Sequence, residues 1–141
     1  MSYKSDLKEA KEVEQEVSDY LCNHFYEKLG DLIHVDNFKG DLYSTIKNMY
    51  IEIKRDRLAE KTANFFLEEN CYNYTESFVW IFVDDHHYFI TTKPKLTKLI
   101  ESGKYKKVKG GDNKKYAGWL IPRNDMRGIC RVELREYNRG L

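Results

Sequence analysis

The chain has 141 residues, a length typical of one folding unit, so we expect a single domain over residues 1–141. Apolar residues make up 41% of the chain and aromatic residues 14%, which suffices for a packed core and excludes a disordered chain. No apolar run is long enough to cross a bilayer, and the polar start is no signal peptide. We therefore expect a soluble, cytoplasmic protein with no membrane partner.

The three cysteines are far apart and form no CxxC pair, which favours free buried thiols over a disulfide framework or a zinc site.

The net charge of +1 hides a strong asymmetry along the chain. Residues 1–60 carry 9 basic and 13 acidic side chains, whereas residues 93–115 carry nine lysines against two acidic residues. An acidic region and a basic region in one small protein suit a metal site beside a surface that binds a polyanion. A solvated lysine-rich loop explains the basic region equally well, so charge alone leaves both interpretations open.

The first predicted element is a long helix. Residues 4–28 contain neither Pro nor Gly, and their apolar residues recur at spacings of three and four. This pattern predicts one amphipathic helix that ends near Gly30. His24 lies on the apolar stripe, so we expect a satisfied core histidine there rather than a ligand.

Two short segments with a period of two follow, at residues 40–45 and 49–54. They predict two strands joined by a tight connection. Because side chains alternate along a strand, Glu52 and Lys54 share one face of the second strand.

The remainder of the chain predicts five further strands and a second helix. The strands are expected at residues 63–68, 78–83, 88–91, 116–121 and 129–134. For residues 63–68 a helix remains the alternative, and the two Phe residues with the preceding Thr favour a strand. The segment 78–83 is apolar without interruption, which is typical of a strand buried on both faces. A helix should span residues 95–102 with Pro94 in its first turn, and residues 103–111 should form a flexible basic loop.

Asp41, Glu52 and Lys54 form the combination that indicates a chemistry. Two carboxylates on adjacent strands offer the oxygen ligands that Mg²⁺ prefers. A lysine two residues after the second carboxylate points the same way, within reach of a phosphate or of an attacking water. Phosphodiester hydrolysis needs such a site, because a divalent metal activates water at neutral pH and stabilises charge in the transition state.

Gly40-Asp41, followed eleven residues after the Asp by Glu52-Ile53-Lys54, resembles the PD-(D/E)XK nuclease superfamily, which includes restriction endonucleases and archaeal Holliday junction resolvases. The resemblance implies an α/β (α+β) fold with a restriction-endonuclease-like core: a central mixed β-sheet flanked by the long N-terminal helix and a second helix. It assigns Asp41 and Glu52 as ligands of Mg²⁺, with Mn²⁺ as a substitute. The Ile53 carbonyl becomes a further ligand, and Lys54 orients the water or stabilises the developing charge.

Many members of the superfamily also place a Glu of the first helix near the metals, and Glu14-Gln15-Glu16 resembles that pattern. Glu14 leans over the apolar face and Glu16 lies at its edge, so we favour Glu14 as catalytic residue and metal ligand. The alternative is that Glu14 and Glu16 are both ordinary exposed residues of the helix. In the first strand Gly40 stands where the family has Pro, and Asp36 is the alternative acid if the strand register differs.

The stretch after Glu52-Ile53-Lys54 resembles a group of phage-type nucleases of this superfamily, which continue with Thr-Gly-Asn and a strand ending in Glu. Here Thr62-Ala63-Asn64 matches, with Ala63 in place of the usual Gly, and a turn containing Thr75 follows. Thr62 and Asn64 are candidates to donate hydrogen bonds to phosphates, although they cap local backbone equally well.

Lysines of the later chain, interleaved with tyrosines, are further candidates for contact with DNA. They are Lys104, Lys106, Lys107 and Lys109. The Asp84-Asp85-His86-His87 cluster carries side chains that can bind metal, but a hairpin turn is the simpler interpretation.

These features predict a Mg²⁺-dependent deoxyribonuclease. The resemblance implies an endonuclease that acts on branched DNA or Holliday junctions, while flaps, nicked duplexes and single strands remain open. A homodimer would help so small a chain to cut both strands. Two alternatives also remain: a catalytically idle nucleic-acid-binding module on the same fold, and a protein-interaction factor whose acidic helix and basic loop contact a partner chain.

Overall fold

The computed structural model describes residues 3–110 and 115–135, the side chains of residues 3–6 and 36 excepted. Within these ranges the chain forms five helices and nine strands. In chain order they are α1 (Tyr3–Leu29), β1 (Leu32–Asn37), β2 (Gly40–Ser44), β3 (Met49–Arg55), α2 (Ala59–Thr62), β4 (Asn64–Glu68), α3 (Glu69–Tyr74), β5 (Ser77–Val83), β6 (His87–Thr92), α4 (Lys93–Glu101), β7 (Lys107–Gly110), β8 (Tyr116–Pro122), α5 (Arg123–Ile129) and β9 (Arg131–Leu134).

Six strands form a central mixed sheet in the order β1-β2-β3-β5-β6-β9. Neighbours run antiparallel except β3 and β5, which are parallel because the chain crosses over between them through α2, β4 and α3. The other strands form a second sheet in the order β4-β8-β7. A mixed α+β fold with a central mixed sheet and flanking helices is therefore confirmed, and a small second sheet that the sequence did not predict accompanies it.

Two hydrophobic cores lie on opposite faces of the central sheet. The helix α1 packs into one core through Val17, and α4 packs into the other through Leu96. Strand β5 serves both, because Ile81 belongs to the first core and Trp80 to the second. The predicted burial on both faces is thus confirmed from Trp80 onward, whereas Phe78 is exposed. Full burial of one such side chain contributes about 1.5–3 kcal/mol.

The long N-terminal helix is confirmed, and Gly30, with φ +65°, follows its last residue. The expectation for His24 was wrong. Its side chain is exposed, and its ring lies 4.5 Å from that of the buried Tyr20. The next residue, Phe25, departs from helical dihedrals (φ −132°, ψ 20°), so the apolar stripe does not continue in phase through the last turn.

The segment expected to be a flexible basic loop contains a strand, which corrects the prediction. Lys107 pairs with Trp119 and Lys109 with Ala117, so β7 forms the edge of the second sheet. Charged side chains on an edge strand discourage pairing with another chain, which makes a lysine-rich segment compatible with a strand. Only residues 103–106 are irregular, and Gly111 lies outside the described residues.

The predicted strands at 63–68, 88–91 and 116–121 and the helix at 95–102 are confirmed to within two residues. The last strand begins at Arg131 rather than at residue 129, because Ile129 still belongs to α5. The strand β1 and the short helices α2, α3 and α5 were not predicted. Helices of four to seven residues are too short to show a helical period in sequence.

The three cysteines are free thiols, as predicted, although each is half-buried rather than fully buried. Within residues 3–110 and 115–135, no helix combines the length and the apolar character that a bilayer crossing requires.

Candidate metal centre

Asp41 and Glu52 lie side by side at the end of the pairing between β2 and β3. The last Cα pair of this antiparallel ladder is Leu42 with Ile51, and Asp41 and Glu52 are the next residue outward on each strand. The Asp41 carboxylate accepts a hydrogen bond from the Ile53 N–H, at 2.7 Å from Oδ2. The strand register therefore brings together the two acids that the sequence singled out.

Gly40, which stands where the family has Pro, lies too close to its neighbours to carry a side chain. A Cβ at this position would lie 2.5 Å from Ser77 Oγ and 2.9 Å from Tyr50 Cβ. The Ser77 hydroxyl also donates to the Lys39 carbonyl at 2.9 Å, which ties the turn before β2 to the start of β5. Close packing thus accounts for the glycine.

Glu52 is buried, with 7% of its surface exposed. Its Oε1 accepts a hydrogen bond from the Thr75 hydroxyl at 3.0 Å, and its Oε2 lies 3.5 Å from Lys54 Nζ. Glu52 and Lys54 therefore project from the same face of β3, as strand alternation predicted. The alternative acid, Asp36, lies in β1, and its side chain is outside the described residues.

The two glutamates of α1 have different surroundings. Glu14 is half-buried, and its charge acts on Asp41. Glu16 accepts hydrogen bonds from the Tyr88 hydroxyl and from Arg135, whose Nε lies 2.7 Å from Oε2. Of the two, Glu14 is therefore the one whose charge acts on Asp41, whereas Glu16 anchors the helix to β6 and to the residue after β9.

Crowding of carboxylates alters the proton equilibrium of Asp41. Burial, followed by the charge of Glu52 and, to a smaller extent, Glu14, raises the pKa of Asp41 to about 7. The Ile53 N–H and the Lys54 ammonium oppose this rise. Burial and the neighbouring carboxylates thus both disfavour the ionised form of Asp41.

Lys54 supplies positive charge to the site. Burial by itself lowers the pKa of Lys54, but the Glu52 carboxylate, with smaller effects from Cys71 and Asp41, raises it above its ordinary value. Lys54 is therefore an ammonium at neutral pH. Its single charge is smaller than that of Asp41, Glu52 and Glu14 together when all three are ionised.

The donor atoms at this site fit a hard divalent cation. Asp41, Glu52 and Glu14 offer carboxylate oxygens, which Mg²⁺ and Mn²⁺ prefer. Ile53 directs its N–H towards Asp41, and the N–H and C=O of a residue in an extended strand point to the same edge, so its carbonyl faces this side too. A cation bound among these oxygens would neutralise the excess negative charge.

Three further side chains at the site were not predicted. Thr75 lies in the turn that resembles those of phage-type nucleases, which was the only sequence signal for it. Cys71, in α3, lies close enough to the side chains of Lys54 and Glu52 for their electrostatic effects on it to count, and burial raises the pKa of its thiol. His34, in β1, has Nδ1 3.3 Å from Glu14 Oε1. No motif spacing indicated Cys71 or His34, because α3 and β1 reach the site only through the fold.

The Thr62 and Asn64 side chains form hydrogen bonds within their own segment. The Thr62 hydroxyl donates to the Leu58 carbonyl at 2.9 Å, and the Asn64 side-chain amide donates to the Thr62 carbonyl at 3.0 Å. Between them Ala63 adopts a left-handed conformation with φ +62°. The alternative of local backbone capping is therefore the one that the structure supports.

The four lysines predicted to contact DNA differ in their surroundings. Two form surface ion pairs: Lys104 with Asp125, at 3.1 Å, and Lys107 with Glu69. Such pairs contribute about 0–1 kcal/mol and are easily exchanged for other partners. Lys106 and Lys109 are exposed, so their ammonium groups are accessible to a polyanion.

The turn predicted at residues 84–87 is confirmed, and it is organised around a buried carboxylate. Asp84 accepts the backbone N–H groups of His86 at 2.9 Å and His87 at 2.6 Å, and a hydrogen bond from Arg123 at 2.6 Å. Burial alone raises the pKa of Asp84, but these donors hold it below its ordinary value. Glu60, Asp84 and His87 carry potential ligand atoms within 4.8 Å of one another. The donors around Asp84 explain the cluster as part of the turn.

Compared with protein-family models, with curated proteins and with solved structures, the chain shows no match.

Proposed function

We propose that this protein is a metal-dependent DNA endonuclease that hydrolyses phosphodiester bonds on a restriction-endonuclease-like core. The observation that carries the proposal is the meeting of two carboxylates and one ammonium, from β2 and β3, at the end of one strand pair, with a third carboxylate on α1 whose charge acts on that of Asp41. They belong to Glu14, Asp41, Glu52 and Lys54. Helices on both faces of a central mixed sheet support the proposed core.

A simple surface ion pair between Glu52 and Lys54 does not account for this arrangement. Such a pair would be exposed and would need no further acid, whereas Glu52 is buried and Asp41 lies beside it. A pKa of about 7 for Asp41 means that the fold keeps carboxylates together at a cost in stability. Perturbed acids of this kind cluster at functional sites, which favours a binding or catalytic role.

Asp41, Glu52, Glu14 and the Ile53 carbonyl are the groups proposed to hold one or two Mg²⁺ ions, with Mn²⁺ as a substitute. When bound, the cation lowers the pKa of a coordinated water towards ~7 and offsets negative charge on the phosphate. The Ile53 N–H and the Thr75 hydroxyl hold the two strand carboxylates in orientation.

Lys54 is the proposed catalytic cation. Its ammonium lies beside Glu52 and carries three N–H donors, which suit the attacking water or a non-bridging phosphate oxygen. A donor held in place before the reaction stabilises charge as it develops, without reorganisation. Cleavage would leave a 5′-phosphate, as the resemblance implies.

DNA is the proposed substrate, with branched forms such as Holliday junctions as the leading choice. The exposed ammonium groups of Lys106 and Lys109 favour a polyanion. Action in the cytoplasm and a homodimer that cuts both strands belong to the same proposal.

Cleavage of a DNA panel tests this function. Linear, nicked, flap and four-way-junction DNAs are incubated with the protein in Mg²⁺, Mn²⁺ or EDTA, and product is expected only with metal. Glu52→Gln and Lys54→Ala should abolish cleavage and leave the fold intact, while Glu27→Gln, at an exposed position of α1, serves as the matched control. Binding without product in every metal would identify an idle nucleic-acid-binding module, and full activity of Lys54→Ala would remove Lys54 from the mechanism.

A further inference from the structure

Lys93, the first residue of α4, holds its ammonium against aromatic rings. Nζ donates a hydrogen bond to the Tyr72 carbonyl and lies 4.0 Å from the centroid of the Tyr72 ring and 5.8 Å from that of Trp80. Lysine side chains ordinarily extend the ammonium into water. Here cation–π contacts and a backbone carbonyl hold it at a half-buried position.

The strand register places Lys93 near the proposed metal centre. Glu52 pairs with Trp80 across β3 and β5, and Trp80 pairs with Thr91 across β5 and β6, so these three residues form one row on one face of the sheet. Lys93 follows Thr91 by two residues, and its ammonium reaches back over Trp80. Burial lowers the pKa of Lys93, and the charges of Cys71 and Glu52 oppose this effect, which also places these groups close together.

Lys93 and Lys54 differ in what balances their charge. Lys54 lies 3.5 Å from a Glu52 oxygen. Within the described part of the chain no carboxylate forms an ion pair with Lys93, and its acceptor there is the neutral Tyr72 carbonyl. An ammonium has three N–H donors, so this one keeps donors for an anion. A half-buried cation without an ion-pair contact favours an anionic ligand.

We propose that Lys93 binds a non-bridging phosphate oxygen of the DNA strand held at the carboxylate site, so that the strand contacts two ammonium groups, those of Lys54 and Lys93. This inference rests on the proposed nuclease function and deepens it, because it names a residue that binds substrate. The Tyr72 and Trp80 rings hold the ammonium in place before the strand arrives, which reduces the entropy lost on binding.

The salt dependence of DNA affinity tests this role. Binding of a fluorescently labelled DNA strand is measured by anisotropy in Ca²⁺, a divalent cation with the same preference for oxygen ligands, over a range of salt concentrations. Lys93→Met should weaken binding roughly tenfold and lower the slope of log affinity against log salt by about one phosphate contact. Lys93→Arg should keep the slope. Lys98→Met, at an exposed position of the same helix, is the matched control and should change neither quantity.

The outcomes separate this inference from the proposed function. No cleavage by the wild-type protein in Mg²⁺ or Mn²⁺ counts against the nuclease, whereas wild-type cleavage with an unchanged salt slope in Lys93→Met overturns the role of Lys93. Equal losses of affinity in Lys93→Met and Lys93→Arg, with the slope unchanged, also overturn it, because they indicate only a structural anchor for Tyr72. Melting temperatures show whether each variant is folded. If Lys93→Met does not fold, Lys93→Gln replaces it, because a Gln side chain can still donate to the Tyr72 carbonyl.

Discussion

Asp41 accepts a hydrogen bond from the backbone N–H of Ile53, at 2.7 Å, across the two strands that carry the proposed metal ligands. This bond holds the Asp41 carboxylate beside that of Glu52 without the help of a cation. Since the two carboxylates repel each other and lie in a partly dehydrated site, ionisation of Asp41 is coupled to stability and should also be coupled to metal binding at the proposed centre.

The free energy of unfolding should include a term from Asp41 that falls between about pH 4 and pH 7 in metal-free buffer. The pKa of this carboxyl is about 7 in the folded protein against an ordinary value of 3.8, so folding favours the protonated form. The stabilisation is fully present below the ordinary value and is lost as the pH rises through 7; its size is at most about 4 kcal/mol. Urea denaturation of wild type and Asp41→Asn at several pH values measures it. The free energy of unfolding of Asp41→Asn should increase relative to that of wild type as the pH rises. A difference between the two proteins that stays constant with pH would contradict the raised pKa.

Mn²⁺ or Mg²⁺ should restore the stability that ionised Asp41 removes. A cation binds the deprotonated carboxylates, so metal binding to the folded state adds to the free energy of unfolding and becomes stronger as the pH rises towards 8. Melting temperatures at pH 5.5 and pH 8, each with and without Mn²⁺, measure this. We expect Mn²⁺ to raise the melting temperature more at pH 8 than at pH 5.5. An equal rise for wild type and for Glu52→Gln would show that the metal binds elsewhere.

Glu14→Gln should weaken metal binding, whereas Glu16→Gln should weaken the fold. Glu16 accepts hydrogen bonds from two nitrogens of Arg135, at 2.7 and 2.9 Å, and the side chain of Arg135 is only 2% exposed. Disturbing this buried, charge-assisted pair should cost about 2–4 kcal/mol. In thermal melting, Glu14→Gln should keep the metal-free melting temperature and lose much of its rise with Mn²⁺. Glu16→Gln should have a lower metal-free melting temperature and keep the rise with Mn²⁺. Identical behaviour of the two variants would refute the distinction.

Thr75→Val should reduce metal affinity through Glu52. The Thr75 hydroxyl lies 3.0 Å from both Glu52 Oε1 and the Lys39 carbonyl, so it orients the carboxylate relative to the turn before β2. Loss of such a supporting contact typically lowers metal affinity by about 10–100-fold. Titration calorimetry with Mn²⁺ measures the change. Thr91→Val is the matched control, because the Thr91 hydroxyl donates to the Ile129 carbonyl at 2.8 Å; it should cost about 1 kcal/mol of stability and leave metal affinity unchanged.

Ala63→Gly should stabilise the protein. Ala63 has φ +62° and ψ 19°, a left-handed conformation that costs an L-residue about 1–2 kcal/mol. The extra freedom of glycine in the unfolded chain offsets part of this, so the expected gain is about 0.5–1 kcal/mol. Ala10→Gly, at an exposed position of α1, should instead lose about 1 kcal/mol. Urea denaturation compares the two, and a loss of stability at both positions would contradict strain at Ala63.

Much of the candidate site could be predicted because its main residues are close in sequence. The alternation in β3 was enough to place Glu52 and Lys54 on one face, since side-chain direction in a strand does not depend on which strand pairs with it. Asp41 could be added because a short connection joins β2 to β3 and makes them antiparallel neighbours. Local rules failed where the context was tertiary: the lysines of β7 suggested a loop, but pairing with β8 makes the segment an edge strand.

The amino-acid pattern was enough to predict the long amphipathic helix, the strand pair of the site and the buried strand β5, because each follows from the spacing of side chains along one element. The fold was needed to show that Glu16 pairs with Arg135, that Thr75 hydrogen-bonds to Glu52 and that the Lys93 ammonium lies over Trp80. Helix rotation, strand order and crossover connections depend on how separate apolar faces pack, and contacts between residues far apart in sequence leave no period to recognise.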